Sequence, residues 1–311
     1  MKLHTDKARF KDAIIATSEM LGIEPALVEK DYFVTLFLKK ATEEVPGLIF
    51  KGGTSLSKCH KLIDRFSEDV DLTLDNEHFS QSKKRNSIKI LINICDELGL
   101  KLLNRETIKL HTHSNYNCYE IEYPMIFSSY NIKSKLIVEM VYIQKSYPSE
   151  LKTANSYIGE YITKNGNNDI VSLYELEPFN VQVQSLERTL VDKVFAICDY
   201  FLNGRIDRNS RHIYDIYKLL TKIDLYDDDL NVLVYNVRND RKKNKSCLSA
   251  QDNVDIQKIL IQIIDTAFFK KDYNDVTLKL LIKPLSYDEV ISSLELIVES
   301  AIFETKAKVS L

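Results

Sequence analysis

The sequence predicts an α+β fold: a small mixed sheet interleaved with helices over residues 1–185, and helices alone over residues 186–311. Three observations carry that expectation. Short alternating or apolar runs of the strand type end before Ser185, helical spacing of apolar residues recurs throughout, and only eight glycines and six prolines interrupt 311 residues.

Residues 7–41 carry helical spacing, and Pro25 suits the first turn of a helix that buries Leu27, Val28, Tyr32 and Leu36, with Glu29, Lys30 and Asp31 interrupting the stripe. Leu48-Ile49-Phe50 reads as a short strand running into Lys51-Gly52-Gly53, the only Gly-Gly pair, after which Thr54 to Ile63 is helical in character. Asp69-Val70-Asp71-Leu72-Thr73-Leu74 alternates strictly, which puts Asp69, Asp71 and Thr73 on one face of a strand and Val70, Leu72 and Leu74 on the buried one. A helix from Lys84 to Leu98 follows, then strands at Leu100–Leu103, Tyr119–Tyr123 and Lys135–Ile143. Leu151 to Asp169 is polar and ends in an Asn-Gly-Asn-Asn turn, before a last strand at Phe179–Val183. Beyond it, Leu186–Leu202, Ile213–Leu220, Val254–Phe269 and Tyr287–Phe303 show helical periodicity, so the domain boundary is placed near residue 185.

Composition excludes several classes. Five scattered cysteines, never in a CxxC pair, argue against a disulfide framework or zinc knuckle and for a reducing, cytoplasmic setting. No run approaches the roughly 20 apolar residues of a membrane span, and no signal-peptide core follows Met1. A net charge of −3 confines any nucleic-acid contact to local patches such as Lys83-Lys84-Arg85 and Arg238 to Lys245, the latter reading as a solvated loop or as a clamp on a nucleic-acid backbone.

The chemistry concentrates between residues 50 and 71. Carboxylates two apart on a strand project to one side, about 6–7 Å apart at Cα, and can converge on divalent cations; oxygen-only ligation suits Mg²⁺ or Mn²⁺. A strand–glycine turn–helix just upstream offers main-chain N–H groups to phosphates. Metal and phosphate sites side by side imply phosphoryl or nucleotidyl transfer. A solvent-facing pair of aspartates beside an ordinary turn is the bland alternative.

The runs Phe50-Lys51-Gly52-Gly53-Thr54-Ser55-Leu56-Ser57-Lys58 and Asp64-Arg65-Phe66-Ser67-Glu68-Asp69-Val70-Asp71-Leu72 resemble the signature of the AbiEii/AbiGii nucleotidyltransferase toxin family. Val28-Glu29-Lys30-Asp31-Tyr32, Leu186 to Lys193 and Arg211 to Leu219 also agree with it. The resemblance implies a polymerase-β-like nucleotidyltransferase domain, followed by a helical domain that completes the active-site cleft. It implies the toxin of a toxin–antitoxin, abortive-infection or phage-defence system, with an antitoxin encoded separately. Its substrates would be an NTP and the 3′ end of a tRNA acceptor stem, so that modification blocks translation. Gly52, Gly53, Thr54, Ser55, Lys58 and Arg65 would then face the nucleotide, either Thr54 or Ser55 offering the hydroxyl.

Glu139, a charge inside the apolar run Leu136–Val141, is the candidate third metal ligand beside Asp69 and Asp71, against an edge-strand glutamate facing water. Lys193 sits on the polar side of a helix whose buried stripe is Leu190, Val194 and Ile197; the resemblance assigns it to the triphosphate. Asp215 either pairs with Arg211 at the surface or, by resemblance, orients Lys193 or holds the attacking hydroxyl. Arg65 lies near the phosphates or pairs with Glu68. His111 and His113 lack partners at metal-ligand spacing and read as ordinary residues. Two rival functions stand beside this reading: transfer to a protein or small molecule, and a catalytically silent binding module.

Overall fold

The computed structural model describes residues 1–67, 69–75, 80–108, 116–129, 134–142 and 146–304, so Glu68, His111, His113 and the expected strand end at Ile143 lie outside the described residues. The chain divides into two units, Met1–His60 with Ser67–Val183, and Lys61–Phe66 with Gln184–Leu311.

Among the described residues of the first unit, one mixed sheet of seven strands holds β1 (Leu48–Lys51), β2 (Asp69–Leu74), β3 (Lys101–Leu102), β4 (Tyr116–Glu122), β5 (Lys135–Val141), β6 (Ser149–Ala154) and β7 (Phe179–Gln184). Their order is β3-β4-β5-β2-β1-β7-β6. β1 runs antiparallel to β2 and parallel to β7, while β2 runs parallel to β5. The period of two sorts the residues: Val70, Leu72, Leu136, Val138, Tyr119 and Ile121 are buried in the core, and Asp69, Asp71 and Glu139 on the other face are half-buried.

Helix α1 (Lys7–Leu21) packs on α2 (Pro25–Glu44), which also meets α4 (Gln81–Glu97) and α5 (Tyr157–Lys164). The polar residues expected to interrupt the α2 stripe are inside it: Glu29 and Lys30 are fully buried and Asp31 nearly so. Glu29 accepts hydrogen bonds from the backbone N–H of Ile126 (2.7 Å) and Phe127 (2.9 Å), which compensates the burial of a carboxylate. Helix α3 (Gly52–Lys58) starts earlier and ends sooner than expected. The polar stretch after Leu151 contains β6, α5 and α6 (Asn168–Leu173), whose surface positions dilute the apolar pattern.

The second unit is helical, with α7 (Leu186–Leu202), α8 (Arg211–Leu220), α9 (Asp228–Lys242), α10 (Ile256–Asp265) and a last helix at Tyr287–Ser300. α7 touches α8, α9 and α10. α9 departs from the sequence expectation: the run Arg238 to Lys245, which reads as a loop, is helical up to Lys242, and the many Asp and Asn residues of that helix mask a stripe of Leu230, Leu233, Val234 and Val237. The short segment Lys61–Phe66 joins this unit through a bridge between Arg65 and Leu281 and through the Ile282 N–H donating to the Asp64 carbonyl (2.8 Å).

Candidate active site

In the first unit the glycine turn and the aspartate strand are built against each other. Lys51, the last residue of β1, is paired with Asp71 of β2, so the chain turns at Gly52 beside that aspartate. Gly52 has φ +75°, and a Cβ placed on it would lie 1.9 Å from Asp71 Oδ2. Only glycine therefore lets the turn and the carboxylate coexist. The Thr54 hydroxyl donates to the Asp69 carbonyl (2.5 Å), and the Ser55 hydroxyl donates to the Gly52 carbonyl (2.9 Å). Each hydroxyl has one proton to give, and here both are directed at main-chain carbonyls; Gly52, Gly53 and their neighbours can offer main-chain N–H groups.

Glu139 lies directly across from Asp71 on β5, with Asp69 across from Ile137. β5 is interior, between β4 and β2, so the edge-strand alternative for Glu139 does not hold. Burial pushes the Glu139 carboxyl above the usual carboxylate range, and the charges of Asp71 and Asp69 push the same way, while a hydrogen bond with Tyr116 and the charge of Lys51 oppose. Three carboxylates gathered on one half-buried face are a hard-oxygen donor set in which a divalent cation would relieve mutual repulsion. Among the described residues no three Asp, Glu, His or Cys side chains are drawn together as a formed cation cage; the three carboxylates share a face.

Lys58 requires correction. Its ammonium is buried and donates to Asp31 Oδ1 (2.5 Å), the Thr35 hydroxyl (2.8 Å) and the Asn155 carbonyl (3.1 Å), which uses all three of its N–H groups. Asp31 Oδ2 accepts from the Tyr157 N–H (2.8 Å), so the cluster ties α3 to α2 and α5. A lysine closing a Gly-rich run and an aspartate in a helix stripe carry no mark of this pairing; only the burial of both does.

In the second unit, Lys193 is 6% exposed, and so is not on a solvated face. Its ammonium donates to Asp215 Oδ2 at 2.6 Å. Asp215 is fully buried, and Arg65 grips it with two bonds of 2.7 Å, Nε to Oδ1 and Nη2 to Oδ2. The surface pairing of Asp215 with Arg211 is thereby excluded as its main contact, and Arg65 has Asp215 as partner. Burial would raise the Asp215 carboxyl, but Arg65 and then Lys193 outweigh it and hold it well below the carboxylate range. Burial lowers the Lys193 ammonium, with Arg65 and Arg211 adding to the effect and Asp215 opposing it. His212, unmarked in the sequence, places Nδ1 3.5 Å from Lys193 Nζ and stacks on Tyr200 at 5.5 Å. Burial, then the charge of Lys193, pushes it well below the usual histidine range, which keeps it neutral near pH 7.

The basic run also needs correction. Arg241 is buried and donates to Asp192 Oδ1 (3.2 Å) and Asp199 Oδ2 (3.1 Å), so it is structural, whereas Lys243 stays 75% exposed. On α4, Lys84 donates to the Tyr142 carbonyl (2.8 Å), leaving Lys83 and Arg85 exposed.

A glycine turn locked against paired strand carboxylates sets main-chain donors beside a hard-oxygen donor set, an arrangement suited to nucleotidyl transfer. The chain belongs to the AbiEii family: the family model described as nucleotidyl transferase AbiEii toxin, type IV TA system, matches residues 37–293. No curated protein matches it. The matched region takes in the glycine turn, the three carboxylates, Lys193 and Asp215, and starts after the Val28–Tyr32 segment. Membership makes the protein a toxin nucleotidyltransferase that works with an antitoxin partner. Among the described residues no helix is long and apolar enough to cross a membrane.

Gly52→Ala tests the lock. The added Cβ must displace the Asp71 carboxylate, and a misplacement of about 1 Å at a reacting centre costs on the order of a hundredfold. Nucleotide transfer is expected to fall by about that factor with the circular dichroism spectrum unchanged. Wild-type turnover would show that the contact is dispensable.

Proposed function

We propose that the protein transfers a nucleoside monophosphate from an NTP to the 3′ end of tRNA and thereby blocks translation. The observation that supports it most is the locking of Asp71 against Gly52 with Glu139 across the strand, which sets three carboxylates next to a turn of main-chain donors. The acceptor 3′-hydroxyl attacks the α-phosphorus, a new P–O bond forms as the bond to the β-phosphate oxygen breaks, pyrophosphate leaves, and the hydroxyl proton passes to a carboxylate or to water. Mg²⁺ or Mn²⁺ held by Asp69, Asp71 and Glu139 would supply the positive charge that steadies entering and leaving oxygens. The main chain of Gly52 to Ser55 orients the phosphates, and Lys193, aimed by Asp215, offsets charge on the leaving pyrophosphate. Arg65, by gripping Asp215, holds the residue that aims Lys193. That residues 186–311 complete the active site is part of this proposal.

Exposed Lys83, Arg85 and Lys243 suit the acceptor's phosphates, and the resulting affinity should fall steeply with salt. The deciding experiment supplies each labelled NTP, Mg²⁺ and total cellular RNA. Label on tRNA, lengthening it at the 3′ end, is expected. Label on a protein or small molecule with tRNA unchanged replaces the acceptor, and no label anywhere leaves a silent binding module.

A further inference from the structure

We propose that His212 is a positioning residue for nucleotide transfer: its Nδ1 accepts from the Lys193 ammonium and, together with Asp215, leaves one N–H of that ammonium turned toward the pyrophosphate. The inference rests on the proposed function, in which Lys193 meets the leaving pyrophosphate, and adds the residue that sets which way the ammonium points.

Two helices in contact supply the parts in pairs. Lys193 and Tyr200 lie two turns apart on α7, and His212 and Asp215 lie one turn apart on α8, so each pair shares a helix face. Lys193 donates to Asp215 Oδ2 at 2.6 Å and approaches His212 Nδ1 at 3.5 Å, while Tyr200 stacks on the imidazole at 5.5 Å with 30° between the planes. An ammonium has three N–H groups and no lone pair. Nδ1 is therefore the acceptor, and the ring proton belongs on Nε2.

A single acceptor lets an ammonium on a flexible four-carbon stem turn about that one contact; a second acceptor fixes the direction of the third N–H. Among the described residues Lys193 makes no hydrogen bond beyond these two, so a donor remains for a substrate oxygen on a side chain only 6% exposed. The histidine contact is the longer and weaker of the two. Asp215 anchors the ammonium, and His212 steers it.

Charge explains why an imidazole stands there. The ring is faced by Lys193 from α7, by Arg211 and Asp215 of its own helix and by Arg65 of the Lys61–Phe66 segment. Burial, then Lys193 and Arg211, push it well below the usual histidine range, and Asp215 opposes. A carboxylate at that position would cancel the charge Lys193 brings to a polyanion, and a cation would drive the ammonium away. A neutral acceptor orients Lys193 and leaves its charge intact.

Calorimetric titration with Mg²⁺-pyrophosphate reads the contact without turnover. His212→Leu, which removes the acceptor at similar volume, is expected to weaken pyrophosphate binding about tenfold or more, the scale of one hydrogen bond to a charged group. His212→Asn, whose Oδ1 can stand where Nδ1 does, should stay within about threefold of wild type. Added to Lys193→Met, His212→Leu should cost less than about twofold further, because its effect passes through the ammonium. Ring ¹⁵N shifts at pH 7, identified by the signal that His212→Asn removes, should show a neutral imidazole with its proton on Nε2. A protonated ring or an Nδ1–H tautomer overturns the proposal. So does a His212→Leu protein that melts lower but binds pyrophosphate as wild type does, while Lys193→Met binds it weakly; the proposed function then stands. If Lys193→Met leaves pyrophosphate binding unchanged, the role of Lys193 in the proposed function falls, and the proposal falls with it.

Discussion

Asp71→Ala is expected to reduce nucleotide transfer by at least a thousandfold while the protein melts at or slightly above the wild-type temperature. A thousandfold corresponds to about 4 kcal/mol of transition-state stabilisation, within what a cation at the reacting phosphate supplies. The two halves of the expectation have one cause. Asp71 stands on the half-buried face across from Glu139 and raises its carboxyl, so removing it relieves that repulsion and takes a ligand from the proposed cation site. Removing it takes no apolar contact from the core, which lies on the other face of β2. Asp69→Ala should behave alike, with a milder effect on Glu139, since its charge acts less strongly there. Labelled-nucleotide transfer and a thermal melt on the same preparation check both halves. An Asp71→Ala protein that transfers at the wild-type rate removes the carboxylates from the mechanism.

The carboxylate strand was legible because a period of two is read directly from the sequence: Asp69-Val70-Asp71-Leu72 admits one arrangement of faces. Glu139 was legible because a charge inside Leu136–Val141 is costly without a reason. The exposure of the opposing partners was not legible. Asp31 and Lys58 look like surface residues of two helices, and the fold buries them together across 27 positions of sequence. Arg65 and Asp215 are separated by 150 positions, and an arginine in a six-residue excursion gives no sign that Lys61–Phe66 joins the helical unit. Pairwise charge complementarity of this range is set by tertiary packing, which a single sequence does not encode in any local pattern. Helix α9 escaped notice for a different reason: local propensity is weak in Asp- and Asn-rich segments, and its stripe of Leu230, Leu233, Val234 and Val237 decides the matter only once a core exists to receive it.

Asp215→Ala is expected to cost stability on the order of 3–5 kcal/mol. The carboxylate is fully buried and holds two buried cations, Arg65 at 2.7 Å and Lys193 at 2.6 Å. Its removal takes from both buried cations the carboxylate they share, and it is this loss of compensation for their burial, more than the lost attraction, that destabilises. Because Arg65 and Lys193 hold the Asp215 carboxyl below its unfolded value near 4, its contribution is fully present above that pH and is lost as pH falls through the depressed folded value. Wild-type protein should therefore lose stability in acid over a range that the variant does not share. The variant also tests catalysis apart from folding. Asp215→Ala combined with Arg65→Met removes one orphaned cation and should recover part of the stability, yet transfer should stay low because Lys193 still lacks its anchor. Urea unfolding at pH 7 and at successive values below pH 4, with transfer assayed at saturating NTP at pH 7, gives the comparison. A loss under about 1 kcal/mol would show that water reaches the cluster, and full transfer in the double variant would release Asp215 from any role in aiming Lys193.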